Sequence, residues 1–254
     1  MFKVAIPSYR RSDVIADKTL ATLRRGGVAL SDIYIFVVDD EQEAYEKACP
    51  GYQVIVGLKG VIEQRNFILD YFPLDTNIVM MDDDVTQVYQ CLSEKTKEEI
   101  VDLPSLFCRM IIQMNVEKVT ICGCYPVDNI KFAFANKEIT TDFRYLIGVL
   151  TIIKNKKDSQ LLVAPSDSAS HEDKIRTLYY YKKEGKTLRF NHICFKTKYF
   201  AKGGQCALDS NRLERHSQQS EELCKKFPEF FRIKKSKNII DIAFKKQTPS
   251  HSPS

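Results

Sequence analysis

Four short apolar runs occupy the first third of the chain, and each ends abruptly in polar residues. They cover residues 3–7, 33–38, 53–56 and 77–81. Continuous apolar runs of this length, rich in Val and Ile, read as strands buried on both faces. Helical start and stop signals lie between them. Ser12 or Asp13 caps a helix over 14–25, which Gly26-Gly27 ends. A helix over 41–48 stops at Pro50-Gly51, and residues 62–71 form a third. This alternation predicts an α/β fold with a mostly parallel central sheet and helices on both faces. In such sheets ligands bind outside the carboxyl ends of the strands. The polar residues that close the four runs are therefore the candidate site.

The fourth run leads directly into Asp82-Asp83-Asp84. Three adjacent carboxylates repel one another, and strand packing has no use for them. A divalent cation offsets that repulsion, and Mg2+ or Mn2+ prefers carboxylate and phosphate oxygens. Alternation along a strand puts Asp82 and Asp84 on one side and Asp83 on the other. A solvated acidic turn is the bland alternative. At the first strand end, Tyr9 offers a ring for stacking and Arg10 a guanidinium for phosphate. At the second, Asp39-Asp40-Glu41 offers carboxylates to a base or ribose, or simply caps a helix. At the third, Gly60 allows close backbone approach. Gln64-Arg65-Asn66 follows on a helix whose buried face has no need of such residues, and Arg65 suits a diphosphate.

Beyond the triplet the pattern loosens. Helices are expected over 103–115, 172–184 and 211–226, and strands over 118–122, 143–153 and 187–195. His171-Glu172-Asp173 opens the helix at 172. Capping accounts for acids there; alternatively Asp173 or Glu172 is a general base and His171 a metal ligand. Gly203-Gly204 is either a lid or a plain turn, and residues 247–254 form a disordered tail. No repeat or long linker divides the chain, so one domain is expected.

The chain has 254 residues, 44% of them hydrophobic, enough for one substantial core. A net charge of +5 does not by itself mark a nucleic-acid protein, but its distribution is uneven. From Lys174 to Lys202 nine basic residues face only Glu184, and a second basic cluster runs from Lys225 to Lys246. An anionic partner or a solvated surface accounts for both. Eight cysteines without zinc-site spacing, no signal segment and no apolar stretch of membrane length point to a reduced cytoplasmic or nuclear protein.

Taken in order, Ala5-Ile6-Pro7-Ser8-Tyr9-Arg10-Arg11, Asp39-Asp40-Glu41, Gly60 with Gln64-Arg65-Asn66, and Asp82-Asp83-Asp84 resemble glycosyltransferases of the GT-A fold. More narrowly, they resemble the group associated with thymine- and methylcytosine-oxidising dioxygenases. That group includes the kinetoplastid base J glucosyltransferase and relatives in phages and large DNA viruses. Glu172-Asp173, Gly185, Leu188-Arg189-Phe190-Asn191 and Gly203-Gly204 extend the likeness more loosely. The resemblance implies a nucleotide-sugar half over 1–100 and an acceptor-binding half over 101–246. It places Pro7, Tyr9, Arg10, Asp39, Gly60, Arg65, Asp82 and Asp83 around a UDP-sugar donor. Asp84 and Asp82, with His171 as a further candidate, would hold the metal, and Asp173 or Glu172 would act as base in an inverting displacement. The implied acceptor is a hydroxymethylated pyrimidine in DNA. Three rivals stay open: a glycan or protein acceptor, a nucleotidyltransferase, and a non-catalytic binding module. A nucleotidyltransferase would carry a glycine-rich loop with lysine near the first strand, where this chain has Ser8, Tyr9 and two arginines.

Overall fold

The computed structural model describes residues 1–197, 212–235 and 239–247. The first four strands are β1 (Phe2–Pro7), β2 (Ile33–Val37), β3 (Gln53–Val56) and β4 (Asn77–Met81). The helices between them are α1 (Ala21–Arg25), α2 (Gln42–Ala48) and α3 (Val61–Tyr71). Next come β5 (Gln87–Cys91), β6 (Lys97–Glu99), α4 (Leu103–Glu117), β7 (Ile121–Cys124), α5 (Ile130–Phe134), β8 (Ile139–Thr140) and β9 (Leu150–Lys154). The chain continues through α6 (Glu172–Glu184), β10 (Leu188–Phe190), β11 (Ile193–Lys196), α7 (Arg212–Lys226), β12 (Phe231–Lys235) and β13 (Ile240–Phe244).

Eight strands form one sheet in the order β3-β2-β1-β4-β9-β7-β10-β8, so both halves of the sequence contribute to it. β3, β2, β1 and β4 run parallel, β9 runs against β4 and β7, and β8 runs against β10. Adjacent residues of β1, β2 and β4 alternate between two cores. Val4, Ile6, Ile35, Val37, Val79 and Met81 pack with Leu23 of α1 and Phe107 of α4. Ala5, Phe36, Ile78 and Met80 pack with Ile68 of α3 and Tyr180 of α6. Both faces are thus buried, which is why these strands read as unbroken apolar runs.

The parallel register brings the ends of β1, β2, β3 and β4 to one edge of the sheet. Because β9 is antiparallel and Leu150 pairs with Met81, residues 145–149 arrive at that same edge. Apolar composition predicts a strand for these residues, but the strand begins only at Leu150. The strand expected over 118–122 starts at Ile121 instead. Lys118 closes α4 in a left-handed conformation (φ 55°), and the chain needs two more residues to rejoin the sheet. The run 187–195 divides into β10 and β11 at Asn191. This residue is buried, and its amide donates to Lys137 O and Thr140 Oγ1. β11 joins β5 and β6 in a separate small sheet. The helix expected over 14–25 is wound as a π-helix over Ala16–Leu20 before α1. The glycine pair at 203–204 and the tail beyond Gln247 lie outside the described residues.

Candidate active site

A cavity of about 480 Å3 opens at the carboxyl edge of the parallel strands. Its lining includes Pro7, Ser8, Tyr9 and Arg11 after β1, and Lys59, Gly60 and Arg65 at the start of α3. Asp82, Asp83 and Asp84 follow β4, Tyr145 to Val149 flank β9 (except Leu146), and Glu172 to Lys174 open α6. The π-helix braces the aspartate loop. Thr19 Oγ1 donates to Asp82 O at 2.7 Å and accepts from the Val85 amide at 2.9 Å, and Thr22 Oγ1 donates to Val85 O at 3.1 Å. A π-bulge shifts helical register by one residue, and such bulges are frequent at functional sites.

The three aspartates have different partners. Asp83 is buried; it accepts from Ser8 Oγ and from Arg11 Nη1, both at 2.5 Å. The Tyr45 hydroxyl lies 2.7 Å from Ser8 Oγ and accepts from the Arg11 amide, which fixes the loop after β1. Asp84 receives Thr197 Oγ1 at 2.5 Å and lies 3.2 Å from Arg11 Nη1. Asp82 Oδ1 accepts from Arg65 Nη2 at 2.9 Å, and about a third of its side chain remains accessible from the cavity. Burial, opposed by Arg65 and reinforced by Asp83 and Asp84, pushes the Asp82 carboxyl up to about 7.

Arg65 occupies the centre of the site. It donates to Asp82, to Glu172 Oε2 at 2.7 Å and to Gly148 O at 3.1 Å. Burial disfavours its charge, yet Glu172, Asp82 and Asp173 hold it protonated above its ordinary range. A Cβ on Gly148 would fall 2.0 Å from Arg65 Nη1, so glycine is required for this approach. Gln64, also buried, accepts from the Leu58 amide at 2.7 Å and props the loop that ends in Gly60 (φ 111°).

The structure separates Glu172 from Asp173. Glu172 is buried between Arg65 and Arg176 Nε, the latter at 2.6 Å. Burial would raise its carboxyl, but the two guanidiniums outweigh burial and hold it below the usual range. A carboxylate bound on both oxygens to arginine is a poor base. Asp173 accepts from the Tyr145 hydroxyl, from the Gly148 amide at 3.3 Å and from the Lys174 amide at 2.8 Å. Burial first, then the charge of Glu172, raise its carboxyl. Of the pair, Asp173 has the environment of a general base.

Three expected site residues lie elsewhere. Arg10 is exposed with φ 54°, its amide held by Glu41 at 3.0 Å, and it is Arg11 that reaches the triplet. The left-handed turn at Arg10 directs successive side chains apart. Asp39 opens a 3-10 turn, is exposed and does not line the cavity. His171 is fully buried and does not line it either. Its Nε2 lies 2.9 Å from Ser220 Oγ and its Nδ1 3.4 Å from Lys174 Nζ, and burial with Lys174 lowers it to about 3, leaving it neutral. His216 lines the cavity instead. Sequence reasoning missed Arg11 as the partner of the triplet and missed Ser8, Tyr145 and Lys174. Tyr145 sits inside an apolar run and carries no local signal.

Two places can hold a cation. Ligand atoms of His171, His216 and Asp241 lie within 4.8 Å of one another, the one such group of three among the described residues. Lys174 Nζ already stands there, 2.6 Å from Asp241 Oδ1, and supplies the positive charge. The triplet fits a hard divalent ion better. Asp82 and Asp84 line the cavity, and after burial it is the charges of Asp83 and Asp84 that raise the Asp82 carboxyl, a repulsion that a bound cation would relieve.

A mostly parallel sheet, a carboxylate loop at the end of its fourth strand and a second carboxylate across the cavity define a GT-A-like glycosyltransferase. The fold agrees with PcManGT, a mannosyltransferase from Pyrobaculum calidifontis solved with GDP-Man and Mn2+. That match has TM-score 0.51 and 13% identity over 90% of this chain and 63% of that one. It also agrees with S. aureus TarS 1–349 solved with UDP-GlcNAc, with TM-score 0.54 and 15% identity over 88% of this chain and 66% of that one. The chain thus spans slightly less than two thirds of either structure. No curated protein sequence is significantly similar to it. Residues 2–195 match the model of the TET-associated glycosyltransferases, and the chain belongs to that family.

Proposed function

We propose that this glycosyltransferase moves glucose from UDP-glucose to a hydroxymethylated pyrimidine in DNA, with inversion at the sugar carbon. The observation that carries the mechanism is the pairing of Asp173 with the aspartate triplet across one cavity. The family association with TET enzymes, which oxidise methyl groups on bases, supports a hydroxymethyl acceptor. The two solved relatives bind a GDP-sugar or a UDP-sugar, which supports a nucleotide-sugar donor.

On this reading Pro7, Tyr9, Lys59 and Gly60 cradle the nucleotide at the ends of β1 and β3. Asp82 and Asp84 would hold Mn2+ or Mg2+, which when bound supplies Lewis acidity toward the diphosphate oxygens. Arg65 keeps Asp82 in place and ties it to Glu172. Asp83, bound by Ser8 and Arg11, positions the loop. Asp173 accepts the proton of the acceptor hydroxyl as that oxygen bonds to the sugar carbon. The bond from that carbon to the diphosphate breaks, and the electron pair leaves with the nucleotide. A base buried in a duplex must leave the stack to reach Asp173.

Incubation with a panel of nucleotide sugars, manganese and hydroxymethylated duplex DNA tests this reading. Glucose incorporation from UDP-glucose is expected. Incorporation into a glycan or protein but not into DNA would overturn the acceptor assignment.

A further inference from the structure

The family match stops at residue 195, and the described chain continues through α7, β12 and β13. This unit packs on the catalytic half. Leu223, Phe231 and Ile242 are buried together with Phe143 and with Ile175 and Leu178 of α6. It also reaches the cavity. His216 lines the wall, and Asp241 accepts from Lys174 Nζ, another lining residue, at 2.6 Å.

Its charge is uneven. From residue 225 to 246, eight basic residues stand against Glu229 and Asp241. Asp241 is engaged by Lys174 and lies 3.3 Å from His216 Nε2, and Lys226 answers Asp167 at 2.7 Å. Lys225, Arg232, Lys234, Lys235 and Lys246 are exposed and take part in none of these pairs. α7 carries exposed Glu214, Glu221 and Glu222 beside exposed Arg215, so the excess of positive charge lies at its C-terminal end, at Lys225, and on the hairpin. The register sets Lys234 directly opposite Asp241 and Arg232 opposite Ala243. Opposed residues, and residues two apart along a strand, share a face. Arg232 and Lys234 therefore stand on the hairpin face that Asp241 joins to the cavity wall.

We propose that the β12–β13 hairpin is a phosphate-binding clamp that holds duplex DNA at the mouth of the cavity, with Arg232 and Lys234 as its contacts. The proposal rests on DNA being the acceptor. A clamp of this kind binds without sequence preference, because side chains on phosphates fix register and carry no base information. Each cationic side chain that neutralises a phosphate adds about 0.9 to the steepness of log affinity against log salt.

The test uses the full chain and a labelled hydroxymethylated duplex, followed by fluorescence anisotropy across a salt series. Wild type is expected to bind with a steep salt slope. R232Q/K234Q is expected to lower that slope by about 2 and to bind roughly tenfold more weakly at low salt, while UDP-glucose binding stays at the wild-type level. The charge-conserving R232K/K234R should bind DNA as wild type does. Wild-type affinity and slope in R232Q/K234Q would overturn the clamp and leave DNA as the acceptor. Absence of wild-type DNA binding at low salt would overturn both. Loss of UDP-glucose binding in R232Q/K234Q would mean that the hairpin supports the fold, and would also overturn the clamp.

Discussion

Asp173 and Glu172 are neighbours with opposite surroundings, and substitution should separate them. Asp173→Asn removes the proton acceptor while leaving the aspartate loop intact, so transfer should fall about 10^2- to 10^4-fold with nucleotide-sugar binding kept. Glu172→Gln leaves buried Arg176 without its counter-charge and Arg65 with Asp82 as its remaining ion pair, a loss of about 3–5 kcal/mol. It should appear in thermal melts as lost stability. Asp82 adds a pH dependence. Its folded-state carboxyl is raised to about 7, so the stability it contributes is complete below its unfolded value and is lost as pH climbs through 7. In chelator, Asp82→Asn should therefore gain stability relative to wild type between pH 5 and pH 8. An unchanged difference across that range would refute the assignment. The three aspartates were legible in sequence because charge repulsion at a strand end is costly. Arg11 was not distinguishable from Arg10, because a left-handed turn decides which of two adjacent arginines faces the site.

Two elements position the loop that carries the triplet. The π-helix at Ala16–Leu20 turns Thr19 toward the backbone of Asp82 and Val85. Thr19→Val keeps the shape but leaves a buried amide and carbonyl short of partners, at about 1–3 kcal/mol. It should also weaken manganese binding by calorimetry. At the opposite wall, Gly148→Ala would force Arg65 away from Asp82 and Glu172, and both stability and transfer should drop. Apolar period and capping signals located β1 to β4 and α3 well, because those strands are buried on both faces. They missed β5, β6 and the β12–β13 hairpin, whose exposed positions carry Gln, Lys, Glu and Arg and whose buried faces are short. The π-helix left no signal, since its composition suits an ordinary helix.

Across the whole molecule, the main sheet joins residues from both halves of the sequence, so the walls of the cavity are parts of one body. The charge expected to face a partner is distributed differently from its sequence pattern. In the run from Lys174, the side chains of Lys174, Arg176 and Arg189 are buried against Asp241, Glu172 and Asn191, away from the outer surface. Lys182 and Lys196 of that run stay exposed, and a denser exposed group lies farther along, at the end of α7 and on the hairpin that reaches the cavity wall. Burial, which decides between these two clusters, is not written in charge pattern. Among the described residues no helix is long and apolar enough to cross a membrane.

The central claim is that the triplet holds the donor while Asp173 takes the acceptor proton. Parallel measurement of UDP-glucose binding and glucose transfer in Asp84→Asn and Asp173→Asn, with manganese present, tests it most directly. Asp84→Asn is expected to lose manganese-dependent donor binding and transfer together, and Asp173→Asn to lose transfer alone. Wild-type transfer by Asp173→Asn, or wild-type manganese-dependent donor binding by Asp84→Asn, would contradict it.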